Sequence, residues 1–183
     1  EYLQRAMERL TVVVPFTLVI ILFLLYLNFR NGMEVLIIVT TLPLALVGGF
    51  WLLYLLGYNL SVAVTVGFIA LSGVAAEIGV VMLTYLDLAL KRRVEARAGR
   101  LTRADVREAV IEGALLRVRP VIMTNAAIIA GLLPILWSSG TGSEAMQRIA
   151  APMVGGMLSV AILTLAVIPA AYLLWQEWRL RRP

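Results

Sequence analysis

Five stretches of this chain are long and apolar enough to cross a lipid bilayer, and that leaves little choice of fold. A helix needs about 20 mostly apolar residues to span the hydrocarbon core. Residues 11–28, 35–56, 61–90, 118–138 and 149–175 meet or approach that length. In lipid, backbone N–H and C=O groups must be bonded within the protein, so such stretches become helices. The fold class expected is an all-α membrane protein with five transmembrane helices. Composition agrees: 61% of the 183 residues are hydrophobic and only 15% charged, where a soluble domain carries roughly a quarter. Cysteine and histidine are both absent, which excludes disulfides, thiolate or imidazole metal sites, and catalysis by a histidine base.

The connections carry helix punctuation. Asn31-Gly32 separates the first two spans, and Gly57-Tyr58-Asn59 turns into the third with Asn59 or Ser61 as its N-cap. The run Ser138–Gly142 separates the last two spans, with Ser143 expected as an N-cap. Residues 103–117 are of mixed polarity. Thr102-Arg103-Ala104-Asp105 has capping-box spacing, and Val106, Val110, Ala114 and Arg117 share one face, so one cytoplasmic interfacial helix is expected here. Prolines 15, 43, 134, 152 and 169 lie in or beside the spans, where neighbouring helices can satisfy the carbonyls they free.

Orientation follows from the loop cations. With five spans, 13 Lys and Arg residues fall on one side and 3 on the other. The N-terminus is therefore expected outside and the C-terminus inside, with residues 177–183 as a cytoplasmic tail. The net charge of +5 comes largely from the block between Lys91 and Arg119, so it speaks for a membrane surface and not for nucleic acid. An outside N-terminus with no export signal suggests the C-terminal piece of something larger.

Of eleven acidic residues, only Glu77 lies deep in a span. Sixteen residues past Ser61, it sits about 24 Å along the helix at 1.5 Å per residue. An acid at mid-membrane costs about 2.5–3.5 kcal/mol on insertion scales. Twelve Val, Ile, Leu or Phe residues between Val62 and Leu86 offset that cost, but folding does not require the acid. Val66, Ala70, Gly73, Glu77 and Thr84 project along nearly one line, a stripe suited to a close-packed helix or a narrow wet crevice. Apolar surroundings penalise the charged carboxylate, so this group is a candidate to take up and release a proton. The structural alternative is a protonated carboxyl acting as glue between helices.

With no Cys or His, methionine is the one soft ligand available, and thioether sulfur suits Cu(I) and, by extension, Ag(I). Met146, Met153 and Met157 fall within about 60° of one another on the fifth helix. Core filling is the commoner use of such a stripe. Met146, beside the 138–142 loop, is the best placed to meet an ion.

The stretch Gly73-Val74-Ala75-Ala76-Glu77-Ile78-Gly79-Val80-Val81-Met82-Leu83 resembles the heavy-metal efflux branch of the resistance–nodulation–division (RND) transporters. Ala45–Gly49, Arg117–Pro120, Ala130–Trp137 and Ile149–Met157 agree, in the family's order. The likeness is strongest to its copper/silver pumps. The resemblance implies the last five spans of a proton-driven exporter's second membrane half, with residues 1–10 leaving a periplasmic domain. It implies no cofactor, with Cu(I) or Ag(I) as transported ion. It further implies a homotrimer in the bacterial inner membrane, completed by the N-terminal half of the same polypeptide, a periplasmic adaptor and an outer-membrane channel. By resemblance Glu77 belongs to the proton relay and Met146 to the ion path. One departure stands out. Where copper/silver members often carry a relay lysine, this chain has Val121, and the polar Asn125 lies one turn deeper as a helper to Glu77. Val121 speaks for an alternative, an RND pump for divalent zinc, cobalt or nickel. A non-transporting membrane scaffold is a third reading. No phosphate loop or paired intramembrane aspartates support an enzyme.

Overall fold

The computed structural model describes residues 2–96 and 102–181, with side chains from residue 9 onward except 10 and 181. Among them every regular element is helical: α1 (Tyr2–Phe29), α2 (Gly32–Leu56), α3 (Val62–Ala96), α4 (Arg103–Leu136), α5 (Ser143–Ile162), a π turn (Leu163–Val167) and α6 (Ile168–Arg181). The last three form one rod, so five helical segments are apolar enough to span a membrane, as the apolar stretches predict. The chain divides into two units, residues 1–36 and 37–183.

In the first unit α1 is helical from Tyr2, where residues 1–10 are expected to be an exit segment outside the span. Nothing between Tyr2 and Leu10 breaks a helix, and hydropathy marks only the part suited to lipid. Arg30, at φ 54°, ends α1 in the left-handed region.

In the second unit α3 is the central helix. Ala45 of α2, Leu71, Ala75 and Ile78 of α3, Val121 of α4, and Met157 and Val160 of α5 form one buried cluster. Glycines allow the close approaches. Gly48 and Gly155 bring α2 and α5 so near that a Cβ on either would strike the other's carbonyl oxygen. Gly57 at φ 68° closes α2 in a Schellman turn: Tyr58 N–H donates to Leu53 O at 3.1 Å and Gly57 N–H to Tyr54 O at 3.2 Å. Ser61 caps α3, its Oγ accepting from Val64 N–H at 3.4 Å.

Residues 103–117 correct an expectation. They are not a separate helix but the first half of α4, continuous to Leu136. The capping box at Thr102 and Asp105 is present. Pro120 removes one N–H from the ladder without ending the helix. The face carrying Val106, Ala109, Val110 and Gly113 is buried. A Cβ on Gly113 would come within 3.1 Å of Leu86 Cα on α3, so this face packs on α3. Arg93 of α3 fastens the same hairpin, donating to Glu108 Oε2 at 2.6 Å and Glu112 Oε2 at 3.2 Å. The two hydrogen bonds, Glu108's the stronger, hold the guanidinium above its ordinary pKa.

The fifth segment is helical from Ser143, with Gly142 and not Ser143 as its N-cap. Its π turn ends two residues before Pro169, whose ring cannot follow the carbonyl of Leu165 in an ordinary turn. The turn borders a crevice of about 10 Å³, lined in part by Thr41, Ala75, Val160 and Thr164, which is room for about one water molecule. The tail continues α6 to Arg181, and residues 182–183 lie outside the described part.

Candidate functional site

Helix α3 has two faces of opposite character. Leu71, Ala75, Ile78, Met82 and Leu86 are buried. Round the helix, Val66, Gly73, Glu77 and Thr84 are exposed and Ala70 is half-buried. The stripe read from the sequence is thus the outward face of this unit. Thr84 Oγ1 donates to Val80 O at 2.8 Å and is satisfied by its own helix. No hydrogen bond or ion pair holds the Glu77 carboxylate among the described residues. An acid at mid-span, on a face its own unit leaves open, is chemically incomplete.

Asn125 occupies different ground. Gly113 lies level with Leu86, and α3 and α4 run antiparallel. Counting 12 residues along each, about 18 Å, puts Asn125 level with Val74 and Ala75, close to the height of Glu77. Its stripe-mate Val121 packs in the cluster with Ala75 and Ile78, which lie about 160° and 100° round α3 from Glu77. Asn125 therefore faces the core, across α3 from the acid. It is 4% exposed; Nδ2 donates to Val121 O at 3.0 Å, and Oδ1 is buried without a partner. Val121, at 1% exposed, fills its place with hydrocarbon.

The methionines separate. Met157 is wholly buried in the cluster and Met153 packs against it, whereas Met146 is 62% exposed at the start of α5. Among the described residues no group of three acidic side chains is placed to hold a metal.

A residue that periodicity does not single out completes this end of the bundle. Gln147, next to Met146, accepts from Tyr58 Oη at 3.3 Å and donates Nε2 to Ser138 O at 2.6 Å. A lone glutamine on a helix carries no sequence signal, because its partners come from two different loops, one of them 89 residues away.

Comparison with known proteins places this arrangement. The family model described as AcrB/AcrD/AcrF matches residues 1–176. A putative cation efflux system protein, SilA, of Salmonella typhimurium is 55% identical over 177 residues, covering 96% of this chain and 17% of its own length. The cation efflux system protein CusA of Escherichia coli K12 shows the same identity and coverage. A cobalt-zinc-cadmium resistance protein, CzcA, of Cupriavidus metallidurans is 40% identical over 172 residues, with 94% and 15% covered. A crystal structure of a heavy metal efflux pump superposes with a TM-score of 0.80 at 36% identity, covering 96% of this chain and 16% of the other. The chain thus spans about a sixth of the length of these relatives.

Proposed function

We propose, from the premise that this chain belongs to the AcrB/AcrD/AcrF family, that it is a membrane segment of a proton-driven exporter of Cu(I) or Ag(I), with Glu77 in the proton relay. One observation carries the reading: Glu77 stands at mid-helix, exposed and without a partner among the described residues. An intramembrane acid facing hydrocarbon is costly, whereas one facing a protein interior or a wet cleft is functional by default. The outward face of α3 therefore fits against further helices of a longer polypeptide, the length of its relatives leaving ample chain to supply them. Proton uptake neutralises Glu77 and release recharges it, and the packing across that face changes with it.

The cargo follows from ligand chemistry. Met146, exposed at the 138–142 loop, offers a thioether, which suits a soft monovalent ion and needs no deprotonation. Met153 and Met157 sit behind it in the core, so the proposal rests chiefly on Met146. The lower identity to the cobalt-zinc-cadmium resistance protein CzcA than to the cation efflux proteins SilA and CusA speaks against a divalent cargo. The cation bias supports a topology with the α2–α3 and α4–α5 loops outside and the α3–α4 connection inside an inner membrane. By family likeness the whole protein is a trimer that hands ions to an adaptor and an outer-membrane channel.

Replacing Glu77 with Gln in the full-length protein keeps the shape and removes the proton switch. Silver resistance of a deletion strain carrying Glu77→Gln should fall to the empty-vector level at unchanged protein abundance. Wild-type resistance in that strain would remove Glu77 from the relay.

A further inference from the structure

The start of α5 is poorly secured by its own chemistry. The first four N–H groups of a helix have no partners within it, and the N-cap here is Gly142, which provides no side-chain acceptor. Ser143, expected to cap, turns its hydroxyl backward to Gly140 O at 2.8 Å. What ties this end down is Gln147, in the second turn. Its Oε1 takes the Tyr58 hydroxyl, and its Nε2 reaches Ser138 O. Tyr58 closes the Schellman turn of α2, and its ring packs on the cluster of Leu53, Val64 and Ala151, as does Leu136. Ser138 opens the loop that leaves α4. One amide thus joins the end of α2, the exit of α4 and the beginning of α5.

Successive residues on a helix point about 100° apart. With Gln147 fixed inward, Met146 is fixed outward, where it stands 62% exposed. Releasing the amide would leave the uncapped first turn free to fray or rotate, and the sulfur would lose its setting.

We propose that Gln147 is a positioning residue for a soft monovalent cation: by clamping three helix ends it sets the angle at which the Met146 thioether meets the ion. The proposal rests on the placing of Met146 in the cargo path.

A double-mutant cycle in the full-length pump tests it, with silver nitrate as probe, a deletion strain as host and resistance normalised to protein abundance. Met146→Leu and Gln147→Ala should each lower silver resistance about threefold or more, the scale of coupling between neighbouring side chains. The double variant should be no worse than Met146→Leu alone, because without the sulfur there is nothing left to position. Tyr58→Phe, which removes one of the two bonds without touching α5, should give a smaller loss that also vanishes in the Met146→Leu background, and it carries the test if Gln147→Ala does not accumulate. A Gln147→Ala strain at wild-type resistance overturns the positioning role. So does a double variant in which the two losses multiply, since a purely structural defect acts regardless of the sulfur. Wild-type resistance in Met146→Leu removes Met146 from the path, and this proposal with it.

Discussion

Asn125→Leu is the most informative single substitution for the core. The side chain is 4% exposed and stands one turn from Val121, which packs in the cluster of α2, α3, α4 and α5. Its Nδ2 bond at 3.0 Å goes to Val121 O, the carbonyl that the i−4 helix bond already uses, so losing it orphans nothing. Its Oδ1 has no partner, and an unsatisfied buried acceptor costs about 1–3 kcal/mol. Leucine has a similar volume and no polar atom. The substitution should therefore stabilise the full-length protein by about 1–2 kcal/mol, seen as a higher melting temperature in detergent by tryptophan fluorescence. Asn125→Asp should do the reverse, since an unpaired buried charge is worse than an unpaired amide. A lower melting temperature for Asn125→Leu would refute the reasoning and mean that a donor, a bound water or a group from elsewhere in the protein, holds Oδ1. Silver resistance of the same variant reads the second question. Loss of resistance in a stabilised protein would make Asn125 a working helper to Glu77 despite its place across α3.

Two further outcomes follow from packing. Met157→Leu should cost under about 1.5 kcal/mol and leave silver resistance intact, while Met157→Ala should cost about 2–5 kcal/mol; resistance lost in the well-folded leucine variant would make that sulfur a ligand and not core. Gly48→Val drives a side chain into the Gly155 carbonyl and should lower melting by the equivalent of about 1–3 kcal/mol, the cost of overpacking, whereas Gly131→Ala, inside α4 with open space around it, should raise melting by the equivalent of about 0.4–1 kcal/mol.

What could be read from the sequence divides along a physical line. The five spans were legible because lipid imposes one length and one polarity on every crossing. The capping box at Thr102 and Asp105 was legible because its partners are three residues apart. The length of α4 was not. Residues 103–117 have the polarity of a surface helix, and Pro120 looks like a boundary, yet one lost N–H does not stop a helix that has α3 to lie against. Gly113 is the trace of that contact in the sequence, and only the nearness of Leu86 gives it meaning. The stripe through Glu77 was read correctly as a line, but periodicity cannot say whether a line faces in or out. Gln147 was invisible for the same reason, since its bonds reach back to Tyr58 and Ser138 across three helix ends.

The position of Glu77 on the outward face also bears on how a proton could do work here. Were the acid inside the cluster of Leu71, Ala75 and Met157, each change of charge would strain the core that keeps α3, α4 and α5 together. On the outward face the change falls on an interface instead, and the core serves as a rigid mount. The energies are of the right size. Carrying one charge across a 100 mV potential releases about 2.3 kcal/mol, and placing an acid at mid-membrane costs about 2.5–3.5 kcal/mol on insertion scales. A difference of that order shifts a two-state equilibrium by roughly a hundredfold. That is enough to move an interface between two packings and too little to unfold a helical core, so in the proposed relay Glu77 sits where switching α3 against its neighbours costs least.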